Sequence, residues 1–218
     1  MSLKVLIIRF SSIGDIVLTT PVVRCLEQQL GAEVHFLTKK GFRGILVANP
    51  YIAKVYTIQT KVSEIAEELK KEKYDWVIDL HHNLRSLQVK RLLRRPSRSF
   101  NKINLQKWLM VNFKWNLLPD RHIVHRYLET TKHLGIQYDG QGLDYFIPAA
   151  QEVSLGNIAA VSELSPVQRT MLQKGDYVAL VIGAAHATKR LPLAKLVAIC
   201  QGINCPVLLL GGPDDRNV

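Results

Sequence analysis

Cysteine is scarce in this sequence. Its three copies, Cys25, Cys200 and Cys205, are odd in number and show no C-x-x-C spacing. A disulfide framework and a thiolate zinc site are therefore excluded as organising features, and the three read as small buried hydrophobes. Long apolar runs are missing as well, none approaching the ~20 residues of a membrane-spanning helix. Met1 to Arg9 lacks the basic start and extended apolar stretch of a signal peptide, so the expected location is the cytoplasm. Neither the G-x-G-x-x-G fingerprint nor the G-x-x-x-x-G-K-[ST] phosphate loop occurs. Acidic residues vanish over one long stretch: between Leu80 and Pro119 there is none, while Arg85, Lys90, Arg91, Arg94, Arg95, Arg98, Lys102, Lys107 and Lys114 supply +9 of the net +11. Such asymmetry calls for an anionic partner or a membrane surface, unless it is simply a solvated basic face.

What is present organises around the first thirty of the 218 residues. Five of the six residues from Val5 to Phe10 are apolar, the pattern of a strand buried on both faces of a parallel sheet and so placed at its centre. Ser11, Ser12, Gly14 and Asp15 follow, and then apolar residues at helical spacing, Val23, Leu26 and Leu30. Small, polar and acidic groups thus stand where a strand hands over to a helix, the edge at which open α/β sheets bind ligands. Asp15 has two readings. With Ser12 three residues earlier it nearly matches a capping box, which satisfies free N–H groups at a helix start; it is equally a candidate catalytic carboxylate. Thr20-Pro21 repeats the start signal, so the helix begins at Pro21 or begins near Asp15 and is kinked.

Further strands are predicted over Glu33–Lys40, Ala53–Ile58 and Asp75–Leu80, with a helix over Lys61–Lys73 carrying Val62, Ile65, Ala66 and Leu69 on one face. This alternation indicates parallel βαβ units. His81 and His82 follow the third of these strands, but neighbours in an extended segment point to opposite sides, and no third ligand stands at useful spacing; a cleft lining is the better reading. A basic helix is expected over Arg85–Arg95. Leu105–Leu118 mixes Trp108, Met110, Phe113 and Trp115 with lysines, which suits both helix packing and a headgroup boundary. His122–Leu134 reads as a helix and Asp144–Pro148 as a short strand. A polar, small-residue passage then ends near Pro166, where the domain boundary is placed. Beyond it come a buried strand over Tyr177–Ile182, a loop Gly183–Lys189, a helix Leu193–Gln201 and a strand Pro206–Leu210 ending in Gly211-Gly212-Pro213-Asp214-Asp215.

Four stretches occur in a recognisable order: IIRFSSIGDIVLTTPVVRCL, YDWVIDLHHNLRS, GAAHATKRLPLAKL and LLLGGPDD. Together they resemble glycosyltransferase family 9, which includes the ADP-heptose:lipopolysaccharide heptosyltransferases. The resemblance implies a GT-B architecture of α/β class, two Rossmann-like doubly wound parallel-sheet domains facing across a cleft. Residues 1–165 are then the acceptor-binding domain. Residues 166–218 are the start of the nucleotide-sugar-binding domain, expected to be incomplete in this chain and inactive alone.

It also implies roles. Asp15 is the general base; Lys189 stabilises the leaving diphosphate. Ser11, Ser12, Gly14, Asn83 and Arg85 bind the acceptor, arginine offering forked donors to an anionic sugar. Gly183, His186, Thr188, Lys189, Gly211, Gly212, Asp214 and Asp215 bind the nucleotide sugar. Leu191 stands where family members often carry tryptophan. No cofactor or catalytic metal is implied. The expected partners are an ADP-heptose-type donor, a lipid A/Kdo-type lipopolysaccharide acceptor and the inner face of the cytoplasmic membrane, reached peripherally, with inversion at the sugar carbon. The competing reading is a basic nucleic-acid-binding or non-catalytic interaction protein on the same fold, though no recognised nucleic-acid motif appears.

Overall fold

The computed structural model describes residues 2–155, 163–184, 187–212 and 215. They fall into two compact units, Met1–Ala150 and Gln151–Val218. The first is built on five parallel strands, β1 Lys4–Ile8, β2 Glu33–Lys39, β3 Lys54–Ile58, β4 Trp76–Asp79 and β5 Ser97–Ser99, in the spatial order β3-β2-β1-β4-β5. The chain builds outward on one side of β1 and then crosses to the other, the hallmark of a doubly wound sheet.

The apolar run that begins the sequence is the central strand because both of its faces find a core. Val5 and Ile7 pack with Val34, Phe36 and Ile78 on one face, while Leu6 and Ile8 pack with Leu37 and Val77 on the other. All four β1 side chains are fully buried, each contributing roughly 1.5–3 kcal/mol relative to exposure. The first face is covered by α2, Thr20–Leu30, through Val22, Val23 and Leu26. The opposite face is covered by Leu69 of α3, Ala66–Lys71, and Val89 of α4, Leu84–Leu93. A separate five-residue helix, α1 Ile13–Val17, precedes α2. Both alternatives for the helix start are thus realised, in two pieces rather than one kinked helix.

Several expected elements take another form. Over 61–73 the chain first makes a 3-10 turn, Val62–Ile65, before α3. The Glu64 carboxylate accepts from the backbone N–H groups of Gln59, Thr60 and Lys61 and tightens that turn. The helix expected over 122–134 is α6, Ile123–Leu128, continued as a 3-10 segment, Glu129–Leu134. There Thr130 and Thr131 donate their hydroxyls to the carbonyls of Tyr127 and Leu128, local bonds that compete with the regular ladder. Between α4 and α6 lies α5, Asn104–Phe113, none of whose residues is buried. Residues 144–148 form no strand. Asp144 is instead bound by Arg24 through its carboxylate and by the Thr20 hydroxyl, 2.9 Å, through its N–H.

The second unit contains a helix in a stretch to which the sequence reading assigned no element: α7, Pro166–Lys174, capped by the Ser165 side chain. Strands β6 Val178–Val181 and β7 Val207–Leu210 pair in parallel and are joined through α8, Leu193–Gln201. β6 was expected to be buried, yet its side chains are exposed or half-buried. A two-stranded sheet consists of edges alone, and among the described residues Leu172 and Leu196 are the buried hydrophobic side chains of this unit.

Candidate functional site

β1 and β4 are neighbours, yet β2 and β3 lie between them in sequence on the other side of β1. Their carboxyl ends therefore flank the point where the winding reverses, the position at which doubly wound sheets bind ligands. From β1 emerge Arg9 to Asp15, and from β4 emerge Leu80 to Arg85. The topology thus brings together, at one edge, all the residues read from the sequence as contacting the acceptor. A side chain at Gly14 would meet nothing within 4 Å, so no packing demand requires glycine there.

Asp15 sits in the first turn of α1 with its side chain 40% exposed. Its Oδ2 accepts from the Ser12 N–H at 3.2 Å, from the Ser12 hydroxyl at 2.9 Å and from Arg9 Nη2 at 2.8 Å. Burial alone would push this carboxyl up. The Ser12 amide and hydroxyl, with the Arg9 charge, outweigh it and hold the group below the usual carboxylate range. Arg9 is buried and joins three segments, donating also to the carbonyls of Ser11, 2.8 Å, and Leu80, 2.5 Å, with its guanidinium 5.8 Å from the Tyr127 ring. Sequence reasoning missed Arg9, because an arginine closing an apolar strand shows no local sign of partners 71 residues away.

At the end of β4, Asp79 is fully buried and organises the turn that follows. Its Oδ2 receives Lys90 at 2.9 Å and the Ser86 hydroxyl at 2.7 Å, and its Oδ1 receives the N–H groups of His81 and His82 at 3.1 and 2.7 Å. Asn83 caps α4, accepting from the Ser86 N–H at 2.9 Å. The two histidines diverge, though His82 has a left-handed backbone, φ 51°, rather than the extended one expected. The His81 ring packs edge-on against Phe10, 5.2 Å between centroids, whereas His82 Nδ1 lies 2.7 Å from the Phe100 carbonyl. Burial, with the charges of Arg9 and Lys102, holds His81 down at about 4, and its buried Nδ1 has no hydrogen-bond partner among the described residues. Arg85 extends over the Phe10 ring at 5.5 Å and lines a cavity of about 730 Å³ together with Thr60, Lys61, Ser63, Leu84 and Gln88. No carboxylate among the described residues pairs with Arg85, so its charge is available to an anion.

In the second unit, Gly183 follows β6, and Gly211 and Gly212 follow β7, at the same carboxyl edge of the two-stranded sheet. Asp215 joins the two turns: its carboxylate accepts from the Gly212 N–H at 2.8 Å and lies 3.9 Å from Arg190 Nη2. A Cβ on Gly183 would overlap that carboxylate, so only glycine permits this approach. Arg190, unremarked in the sequence, donates through Nε to the Ala184 carbonyl at 2.6 Å. Thr188 and Lys189 are exposed, in a 3-10 turn Ala187–Lys189. His186 and Asp214 lie outside the described residues.

Two other features of the first unit lie outside the residues read as contacting the acceptor. Glu33, His35 and Glu72 cluster within 4.8 Å of one another at the amino-terminal end of the first sheet. Lys4 already pairs with Glu72 at 2.8 Å and Glu33 at 3.1 Å, and Lys54 with Glu72 at 2.9 Å. A cation could enter only by displacing these lysines, and the cluster reads as an ion-paired clasp. The second feature is α5 with its flanks: Leu105, Trp108, Met110, Val111, Phe113, Trp115 and Leu117 are all exposed, as are Arg94, Arg95, Arg98, Lys107 and Lys114. No helix among the described residues is long and apolar enough to cross a membrane.

Residues 62–218 match the sequence profile of glycosyltransferase family 9 (heptosyltransferase). A curated relative, lipopolysaccharide heptosyltransferase 1 of Campylobacter coli, is 26% identical, the match covering 91% of this chain and 60% of the relative. Among solved structures, the glycosyl transferase family 9 protein of Veillonella parvula aligns with a TM-score of 0.69 at 19% identity, covering 100% of this chain and 65% of its own. The E. coli heptosyltransferase WaaC with ADP aligns with a TM-score of 0.67 at 20% identity, covering 99% and 69%. The chain thus spans 60% of the length of the curated relative it matches. Both structural likenesses establish the GT-B type fold, and the profile match runs over most of the sequence: the chain belongs to glycosyltransferase family 9, the heptosyltransferase family.

Proposed function

We propose that this protein transfers a heptose, or a related sugar, from an ADP-sugar to the inner core of a lipopolysaccharide precursor. The observation that carries the reading is the carboxylate at the switch point: Asp15, ionised, partly exposed and held by Arg9 and Ser12. In the reaction an acceptor hydroxyl oxygen bonds to the anomeric carbon as the bond from that carbon to the diphosphate oxygen breaks. The nucleoside diphosphate leaves with the electron pair, and the hydroxyl proton passes to Asp15. A single displacement of this kind inverts the sugar carbon. A carboxylate with a low pKa is a weak base, so its help comes late, when the hydroxyl has become acidic. On the acceptor side, Arg85 and the Ser11–Gly14 turn would hold an anionic sugar. On the donor side, Lys189, Thr188 and the N–H groups of the loop would take the developing diphosphate charge. The reading assigns no step to a metal ion.

The acceptor of such an enzyme is anionic and membrane-borne, which fits a peripheral protein at the cytoplasmic face of the inner membrane. Exposed aromatic and aliphatic groups on α5, amid basic residues and without acids, favour a lipid surface over the phosphate track of a nucleic acid. The donor assignment is tested by a thermal-shift panel of nucleotide sugars on full-length protein. Stabilisation by ADP and ADP-heptose, with none from uridine or thymidine analogues, is the expected outcome; a response confined to another base would replace the donor.

A further inference from the structure

Three donors converge on one oxygen of Asp15. Ser12 N–H, Ser12 Oγ and Arg9 Nη2 all reach Oδ2, and among the described residues none reaches Oδ1. We propose that Arg9 is a positioning residue for the transfer: by fixing Oδ2 it leaves Oδ1 as the oxygen that receives the acceptor hydroxyl proton. The inference rests on the reading of Asp15 as the base.

The geometry makes Arg9 suited to this and other residue types poorly suited. Its side chain is 10% exposed, and each of its nitrogens has a separate oxygen to serve: Nε the Ser11 carbonyl, Nη1 the Leu80 carbonyl and Nη2 the Asp15 carboxylate. The planar fork is thereby fixed on two backbone segments, one from each strand end, before it meets the carboxylate. A lysine would carry the charge but only one nitrogen, and could not span these three acceptors in one plane. Fixing the carboxylate in advance removes reorientation from the reaction step, which is how preorganised groups lower barriers. The groups that face this carboxylate are Arg9 from the end of β1, Ser12 in its own turn, His81 from the end of β4 and Tyr127 from α6. Burial first, and then the charges of Arg9 and Lys102, hold His81 neutral, so the cation in contact with the carboxylate is Arg9.

The test uses full-length protein with carbon-13 at the aspartate carboxyls, and reads two things: the titration of Asp15 by NMR without substrate, and the pH profile of kcat and KM. In Arg9→Met, Asp15 should titrate at higher pH and the acid limb of kcat should move with it. Turnover should fall by roughly 10- to 100-fold, with the acceptor KM little changed. Arg9→Lys should restore the titration but not the rate, since it returns the charge without the fork. Arg9→Gln, which keeps a planar polar end without the charge, should shift the titration in the same direction as Arg9→Met and serves if Arg9→Met fails to fold. Unshifted titration with parental turnover in a folded Arg9→Met protein, or in Arg9→Gln if that variant alone folds, would overturn the proposal. In Arg9→Met, a fall in turnover with an unmoved pH profile would overturn it too. Asp15→Asn separates the two ideas: parental turnover there removes the base, while the NMR titration still decides whether Arg9 holds the carboxylate.

Discussion

At the scale of single residues, Asp15 meets one half of the capping reading and keeps the exposure that the catalytic reading needs, while the Ser12 side chain makes no cap hydrogen bond of its own. It accepts from the Ser12 N–H, as a capping acid does, and still keeps 40% of its side chain exposed. The Ser12 hydroxyl bonds the carboxylate directly. Lys189 is the matching residue in the second unit, exposed in its short turn. If it neutralises the leaving diphosphate, Lys189→Ala should lower turnover by about a hundredfold or more while the melting temperature stays put. An unchanged rate at saturating donor would make it an ordinary surface lysine. Asp15 was legible as a candidate because it stands in a local pattern, a small polar turn between a strand and a helix, whereas Lys189 was singled out only through the family resemblance. Arg9, Arg24 and Arg190 were not legible: their partners are supplied by tertiary folding, as far as 120 residues away for Arg24.

At the scale of elements, α2 owes its seat to Arg24 as much as to its apolar face. Arg24 is fully buried yet bonds both oxygens of Asp139, at 2.7 and 2.9 Å, the Asp144 carboxylate and the Gly142 carbonyl at 3.0 Å. Asp139 is held down to about 2, chiefly by that arginine. Arg24→Met should destabilise the protein by about 3–5 kcal/mol, because two carboxylates lose their partner in a partly buried site; chemical denaturation checks this, and a loss below 1 kcal/mol would assign the arginine no role in holding the 139–144 segment. This ion group also explains why 144–148 forms no strand: the apolar residues Tyr145–Ile147 fit one, but the backbone at Asp144 is held by Thr20 and its carboxylate by Arg24. β5 escaped notice for the opposite reason, since Ser97–Ser99 is a short edge strand with no apolar alternation.

For α5 the expected readout is sedimentation with vesicles of phosphatidylglycerol and phosphatidylcholine at low salt. Neutralising Arg94, Arg95 and Arg98 should weaken binding by at least tenfold, given ~1 kcal/mol per basic residue near an anionic surface. Equal affinity for mutant and parent would make these arginines a solvated face, and tight DNA binding with a steep salt dependence would favour the nucleic-acid reading.

At the scale of the whole molecule, the first sheet has two chemically different edges. Its amino-terminal edge is closed by the clasp of Lys4, Lys54, Glu33 and Glu72, in which Lys4, Tyr56 and Lys54 together hold Glu72 down at about 2. Among the described residues, its carboxyl edge leaves Arg85 without a carboxylate, His81 with an unpartnered nitrogen and Asp15 with one uncommitted oxygen. Strand order decides this division; the parallel alternation and the central place of β1 were legible from the apolar runs, whereas the doubly wound order followed only from the family resemblance. The exposure of β6 was not, because an apolar run reports what a strand could bury rather than what packs on it. The account turns on Asp15, so the decisive measurement is turnover of full-length Asp15→Asn with an ADP-sugar donor, alongside its melting curve. Asparagine keeps the size and some capping ability but removes the basic oxygen. The account predicts a fall of roughly 10²- to 10⁴-fold in a protein that melts as the parent does; parental turnover by a normally folded Asp15→Asn protein would contradict it.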